Sequence, residues 1–149
     1  MEPKPDGERR LVGRVETEPQ YASPFTVVGR LRSFRHALAG LLFVLRSQHN
    51  AWLHAVVTVL ALVLGAVVRL SGDEWCLLAL AIALVWVSEA FNTGLEVLAD
   101  AVMPERHATV KIAKDVAAGA VLLGSLGALV VGAILFVPRL IALVAPLHG

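Results

Sequence analysis

Charge is scarce in this sequence, and its absence falls in long blocks. No Asp, Glu, Lys or Arg occurs between Arg46 and Arg69, between Glu74 and Glu89, or between Asp115 and Arg139. Such blocks exclude an ordinary water-soluble domain, which is about 45–50% apolar; this 149-residue chain is 57% hydrophobic, with a mean hydropathy of +0.73. Cysteine is nearly missing too. The single Cys76 rules out an internal disulfide and a multi-cysteine metal site, and it is expected to pack as a small apolar residue. The N-terminus has no short apolar core ahead of a small-residue cleavage site, so no secretory signal peptide is expected. Also missing are the G-x-x-x-x-G-K-[ST] phosphate loop, the kinase-type H-R-D string, and the Pro-Ser-Gly-His and D-G…A-R…D…D signatures of lipid phosphatases and alcohol phosphotransferases. No nucleic-acid partner is expected.

What is present divides the chain. Residues 1–24 are rich in Pro, Gly, Glu and Arg without apolar periodicity and predict a disordered polar tail. From 25 to 47, Arg30, Arg32, Arg35, His36 and Arg46 interleave with Phe34, Leu38, Leu41, Leu42 and Leu45 at three- and four-residue spacing. This predicts an amphipathic helix on the membrane surface, arginines toward lipid phosphates. Three apolar blocks follow, each close to the ~20 helical residues that cross a ~30 Å hydrocarbon layer. The expected spans are 49–69, 75–101 and 114–138, joined by a turn at 69–74 around Gly72 and a polar loop at 103–114, with a C-terminal tail at 139–149. The expected fold is therefore an all-α integral membrane protein. Ala120, Gly124, Ala128 and Gly132 recur every four residues in the third span, a pattern that lets membrane helices approach closely. His54, one turn inside the first span, is expected to be a packed or hydrogen-bonded residue.

Eight of the thirteen Lys and Arg precede residue 47, and Arg106, Lys111 and Lys114 lie between the second and third blocks. The positive-inside rule then puts the tail and the 103–114 loop in the cytoplasm. The acidic end of the second span faces the same side.

That end reads EAFNTGLEVLAD, from Glu89 to Asp100. Glu89, Asn92, Glu96 and Asp100 are spaced i, i+3, i+7, i+11, which puts them at roughly 0°, 300°, 340° and 20° around a helix, one narrow stripe. Acids at membrane depth cost about 2.5 kcal/mol or more each and invite a functional reading. Carboxylates and amides bind hard cations such as Mg²⁺ through oxygen. A carboxylate partly withdrawn from water takes up a proton more readily and can act as a base. Lys114 and the start of the third helix can attract phosphate. Together these are the parts of phosphoryl transfer. The same acids would equally suit an ion channel or proton relay, and the residues alone leave the two readings level.

EAFNTGLEVLAD, followed at a short interval by KIAKDVAAGAVLL, resembles the prokaryotic diacylglycerol kinase family, which includes integral-membrane diacylglycerol kinases and undecaprenol kinases. The likeness covers about residues 30 to 138, with SFRHALAGLLFVL and SQHNAWLH in the expected places. It implies three transmembrane helices plus the surface helix, a homotrimer with active sites shared between subunits, and a lipid kinase of the bacterial inner membrane with its N-terminus and active site cytoplasmic. It further implies ATP as co-substrate, Mg²⁺, and a membrane lipid alcohol as acceptor. Glu89 resembles the catalytic base, Asn92 belongs to the same motif, Asp100 is the supporting acid, and Glu96 matches the metal-binding glutamate. Glu105, Arg106 and His107 match the nucleotide-contacting loop, and Lys114 and Asp115 the ATP phosphate-binding pair. The sequence departs from the pattern at Gln48, where a second metal-binding glutamate is expected. It also departs at the lipid-side positions His36, often aromatic, and Ala118, a serine in the diacylglycerol-type members. The K-I-A-K-D-V-A-A-G-A-V string looks closer to the undecaprenol kinase branch, so undecaprenol is the favoured acceptor and diacylglycerol the next.

Overall fold

A computed structural model describes residues 26–144; the tail expected over 1–24 and the last five residues lie outside the described residues. Among the described residues the chain is helical, without strands: α1 Val27–Ser47, α2 His49–Val67, α3 Gly72–Val102 and α4 Ala108–Val144. The chain divides into two compact units, Met1–Leu38 and Ala39–Gly149.

The first unit carries the opening turns of α1. Thr26 starts the helix: its Oγ1 accepts the Gly29 N–H at 3.1 Å, and its carbonyl accepts the Arg30 N–H at 3.0 Å. Leu31, Phe34, His36 and Leu38 are all exposed on it, as are Arg30, Arg32 and Arg35.

In the second unit α3 packs along α4, and α2 touches both over shorter stretches. α2, α3 and α4 are each long and apolar enough to cross a membrane, at 19, 31 and 37 residues. At 1.5 Å per residue α3 is about 46 Å long, well beyond a ~30 Å hydrocarbon layer, so its ends reach past the apolar slab. Many Leu and Val on these helices are exposed, as suits a surface bathed in lipid or covered by other chains.

The α2–α3 joint is built by backbone chemistry. Leu70 N–H donates to Gly65 O at 3.0 Å and Arg69 N–H to Ala66 O at 3.3 Å, the paired bonds of a Schellman stop. Arg69 holds the left-handed position, with φ of 55°, that glycine usually fills. Gly72, expected to make the turn, is instead the first residue of α3 and needs no positive φ. The glycine that matters is Gly65. A Cβ there would lie 3.0 Å from both Leu70 Cδ1 and Trp75 Cη2, so its bareness lets Leu70 fold back into a core with Leu78, Leu135 and Phe136.

Ser71 and Glu74 then form a capping box at the α3 start. Arg139 of α4 closes on the same carboxylate, at 2.7 Å to Oε1 and 2.8 Å to Oε2, while its Nη1 donates to Leu135 O at 2.8 Å. α4 thus runs through Pro138, which the sequence reading took as the end of the third span. It also begins at Ala108 rather than 114. Polar residues hide this start, but the i,i+4 pair Lys111–Asp115, at 2.5 Å, belongs on a helix. Of the small-residue stripe, Gly124 makes the close approach: a Cβ there would meet Ser88 Oγ at 3.2 Å and Leu84 O at 3.7 Å on α3. Ala120 is exposed, while Ala128 and Gly132 are half-buried.

Candidate active site

The acidic stripe lies on α3 as its spacing predicts, and it is graded in depth. Glu89 is 1% exposed and Asn92 8%; Glu96 is half-buried, and Asp100 is exposed. Thr93, which the sequence reading passed over, is 1% exposed beside them. Its spacing, i+4 from Glu89, was the available signal. Glu89 Oε2, Asn92 Oδ1 and Thr93 Oγ1 are buried without a hydrogen-bond partner. Buried polar atoms in proteins are rarely left in this condition, and these three fall within about one turn of α3; among the described residues Ser125 Oγ of α4 is a fourth.

α2 supplies the facing groups. Gln48 is the single residue between α1 and α2 and sits at the N-cap of α2, yet its side chain makes no capping bond. Its Nε2 donates instead to Glu96 Oε2 at 3.2 Å, and Asn92 Nδ2 reaches Glu96 Oε1 at 3.4 Å. His54 Nε2 stands 3.8 Å from Glu89 Oε2. Lower on the same interface Trp86 Nε1–H donates to Thr58 Oγ1 at 3.1 Å, which satisfies an indole that lipid could not.

Beyond the shallow end of the stripe, the segment between α3 and α4 forms a cavity of about 450 Å³. Asp100, Glu105, Arg106, His107, Lys111 and Lys114 all line it. His107 is also the cap of α4: its carbonyl accepts Lys111 N–H at 3.0 Å and its Nδ1 accepts Thr109 N–H at 3.3 Å. Lys114 Nζ is 2.5 Å from Asp100 Oδ1. Asp115 does not line the cavity and pairs with Lys111, so the structure separates it from Lys114. His36 and Ala118 are exposed on α1 and α4. A second, apolar cavity of about 600 Å³ runs between α2, α3 and α4, with His54 and Ser125 among its few polar lining residues.

No group of three or more His, Cys, Asp or Glu among the described residues could cage a metal alone. Mg²⁺ needs no such cage; one or two carboxylates plus substrate phosphates commonly hold it. Glu96 fits that use. Both of its oxygens meet neutral amides and no cation, so its charge stays uncompensated.

Three apolar helices, acids graded from membrane depth to the surface and a basic cavity at the shallow end define an integral membrane protein with a polar site at one end of its bundle. The sequence profile of the prokaryotic diacylglycerol kinase family matches residues 35–136, and the chain belongs to that family. It is similar to the diacylglycerol kinase of Synechocystis sp., with 38% identity over 114 residues, 76% of this chain and 65% of that protein. It is also similar to the undecaprenol kinase of Bacillus subtilis, with 34% identity over 109 residues, 73% of this chain and 89% of that protein. No solved structure matches the chain.

Proposed function

We propose that the protein is an ATP- and Mg²⁺-dependent lipid kinase that phosphorylates the primary hydroxyl of a membrane lipid alcohol, undecaprenol before diacylglycerol. Family membership favours this reading over an ion channel or proton relay. The observation that carries it is Glu89: a buried carboxylate whose Oε2 has no hydrogen-bond partner, on the same helix face as Glu96 and Asp100.

The roles follow from depth. A lipid hydroxyl arrives from the membrane, where the Glu89 carboxylate is placed to take its proton. The hydroxyl oxygen then bonds to the γ-phosphorus as the bond from that phosphorus to the β–γ bridging oxygen breaks, and ADP leaves with the electron pair. Nucleotide phosphates enter through the cavity lined by Arg106, His107, Lys111 and Lys114. Lys114 is released from Asp100 at little cost, because Asp100 is 68% exposed and exposed pairs contribute about 0–1 kcal/mol. Glu96, with Gln48 and Asn92 beside it, would hold Mg²⁺, which neutralises charge on the transferring phosphate when bound. The apolar cavity reaching His54 suits the lipid tail.

By the positive-inside rule, the basic N-terminal segment and the 103–114 loop support a site on the cytoplasmic side of a bacterial inner membrane, with α1 at its surface. The exposed apolar faces of α2 to α4 fit a homotrimer. The test is direct: purified protein in lipid, labelled ATP with Mg²⁺, and undecaprenol and diacylglycerol side by side. Label should enter lipid phosphate, faster with undecaprenol. Folded protein that labels neither lipid overturns the proposal.

A further inference from the structure

His54 stands where an unremarkable core histidine would not need to be. Its Nε2 is 3.8 Å from Glu89 Oε2, and the two side chains are 15% and 2% exposed. That oxygen has no hydrogen bond. A side-chain movement of about 0.6–1 Å closes the gap to hydrogen-bonding distance, and catalytic hydrogen bonds are often long before substrate tightens them.

Among the described residues no other titratable group is placed to serve Glu89. On α2 the only other titratable residue is His49, at the helix start. On α3, Glu96 is held by Gln48 and Asn92, Asp100 by Lys114, and Asp73, Glu74 and Cys76 lie at the opposite end. On α4 the charges Lys111, Lys114 and Asp115 sit in the first turns, and none follows until Arg139, which is engaged with Glu74. His54 also lines the apolar cavity, so it stands between that cavity and the carboxylate.

We propose that His54 is a positioning residue for Glu89, its Nε2–H directed at Oε2 so that the carboxylate stays aimed at the incoming hydroxyl. This rests on the reading of Glu89 as the base. In the proton-transfer step the hydroxyl O–H bond breaks and a Glu89 O–H bond forms, on the oxygen left free; His54 keeps its own proton throughout. A carboxylate swung away by about 1 Å loses about 100-fold in rate.

The experiment uses two variants of the full chain in lipid, His54→Leu, which removes the donor, and His54→Gln, which keeps an N–H. Turnover is measured against pH with ATP and a lipid alcohol. In parallel, infrared titration follows the protonated-carboxyl stretch that Glu89→Gln deletes, a readout that needs no kinase activity. Expected for His54→Leu are a kcat lower by about 100-fold, an unchanged KM for ATP, and a Glu89 carboxyl band displaced from its wild-type position, as loss of a hydrogen bond to it requires. His54→Gln should recover much of the turnover. A Glu89 band unmoved in His54→Leu overturns the proposal, whether or not turnover falls, since a merely structural role would leave it in place. Equal loss in both variants overturns it as well. Should the wild-type chain phosphorylate no lipid, the kinase reading fails by itself, and the band shift still decides whether His54 governs Glu89. If His54→Leu does not fold, His54→Met, which also lacks a donor, is read in its place by the same criteria.

Discussion

Replacing Gln48 by Glu tests the metal reading most sharply, because the structure sets the size of the effect. Gln48 Nε2 donates to Glu96 Oε2 at 3.2 Å, with both side chains half-buried. In Gln48→Glu that donor becomes a carboxylate oxygen. Two full charges 3.2 Å apart repel by about 5 kcal/mol at an effective dielectric constant of about 20. The lost hydrogen bond adds about 1 kcal/mol. Side-chain rotation, water at the helix end and sharing of one proton relieve most of this, and about 2 kcal/mol of destabilisation should remain near pH 8. Mg²⁺ should abolish it, since two facing carboxylates are what the ion prefers.

The assay is thermal unfolding in lipid, wild type against variant, with EDTA or with Mg²⁺. The variant should melt several degrees below wild type in EDTA and recover in Mg²⁺, while its turnover half-saturates at lower Mg²⁺. A variant as stable as wild type in EDTA would show that the Gln48–Glu96 contact is not there. One that melts early but ignores Mg²⁺ would refute Glu96 as the metal ligand.

The remaining expectations are simpler. Glu89→Gln should lose turnover by a factor of about 100 or more yet unfold no earlier than wild type, because it removes a buried charge; calorimetry and labelled-ATP transfer check both. Lys114→Met should raise the KM for ATP about tenfold, the order of one charged phosphate contact, and shift stability by less than about 1 kcal/mol, since its Asp100 pair is exposed. Arg139→Ala removes the Nη2 contact to both Glu74 oxygens but not the capping box, and should lower the unfolding midpoint while leaving kcat unchanged.

Much of this was legible because apolar run length and helical spacing are local properties. The three spans follow from charge-free blocks, and the Glu89–Asp100 stripe from counting residues around one helix. What escaped is non-local or subtle. Gln48 and Glu96 are 48 positions apart, and no periodicity announces that one side chain forgoes capping α2 to reach the other. The start of α4 was hidden because the segment 103–114 reads as a polar loop, whereas the i,i+4 pair Lys111–Asp115 and the His107 cap make a polar first turn stable. The third span was expected to end at 138, yet α4 carries on through Pro138, and Arg139 reaches back to Leu135 O and across to Glu74. Arg69 occupies a backbone state usually given to glycine, so the eye went to Gly72 instead.

The graded burial of the α3 acids carries a constraint of another kind, one on length rather than identity. Glu89 and Asp100 are separated by eleven steps of helix, about 16 Å, so one rigid rod fixes how far the deepest acid lies from the shallow one. A single harmless alanine inserted between them would turn every later acid by about 100° and push it about 1.5 Å outward. Loops absorb insertions; this segment has no slack to do so. Its register is a ruler laid across the boundary between oil and water, and it can be neither lengthened nor shortened by one mark.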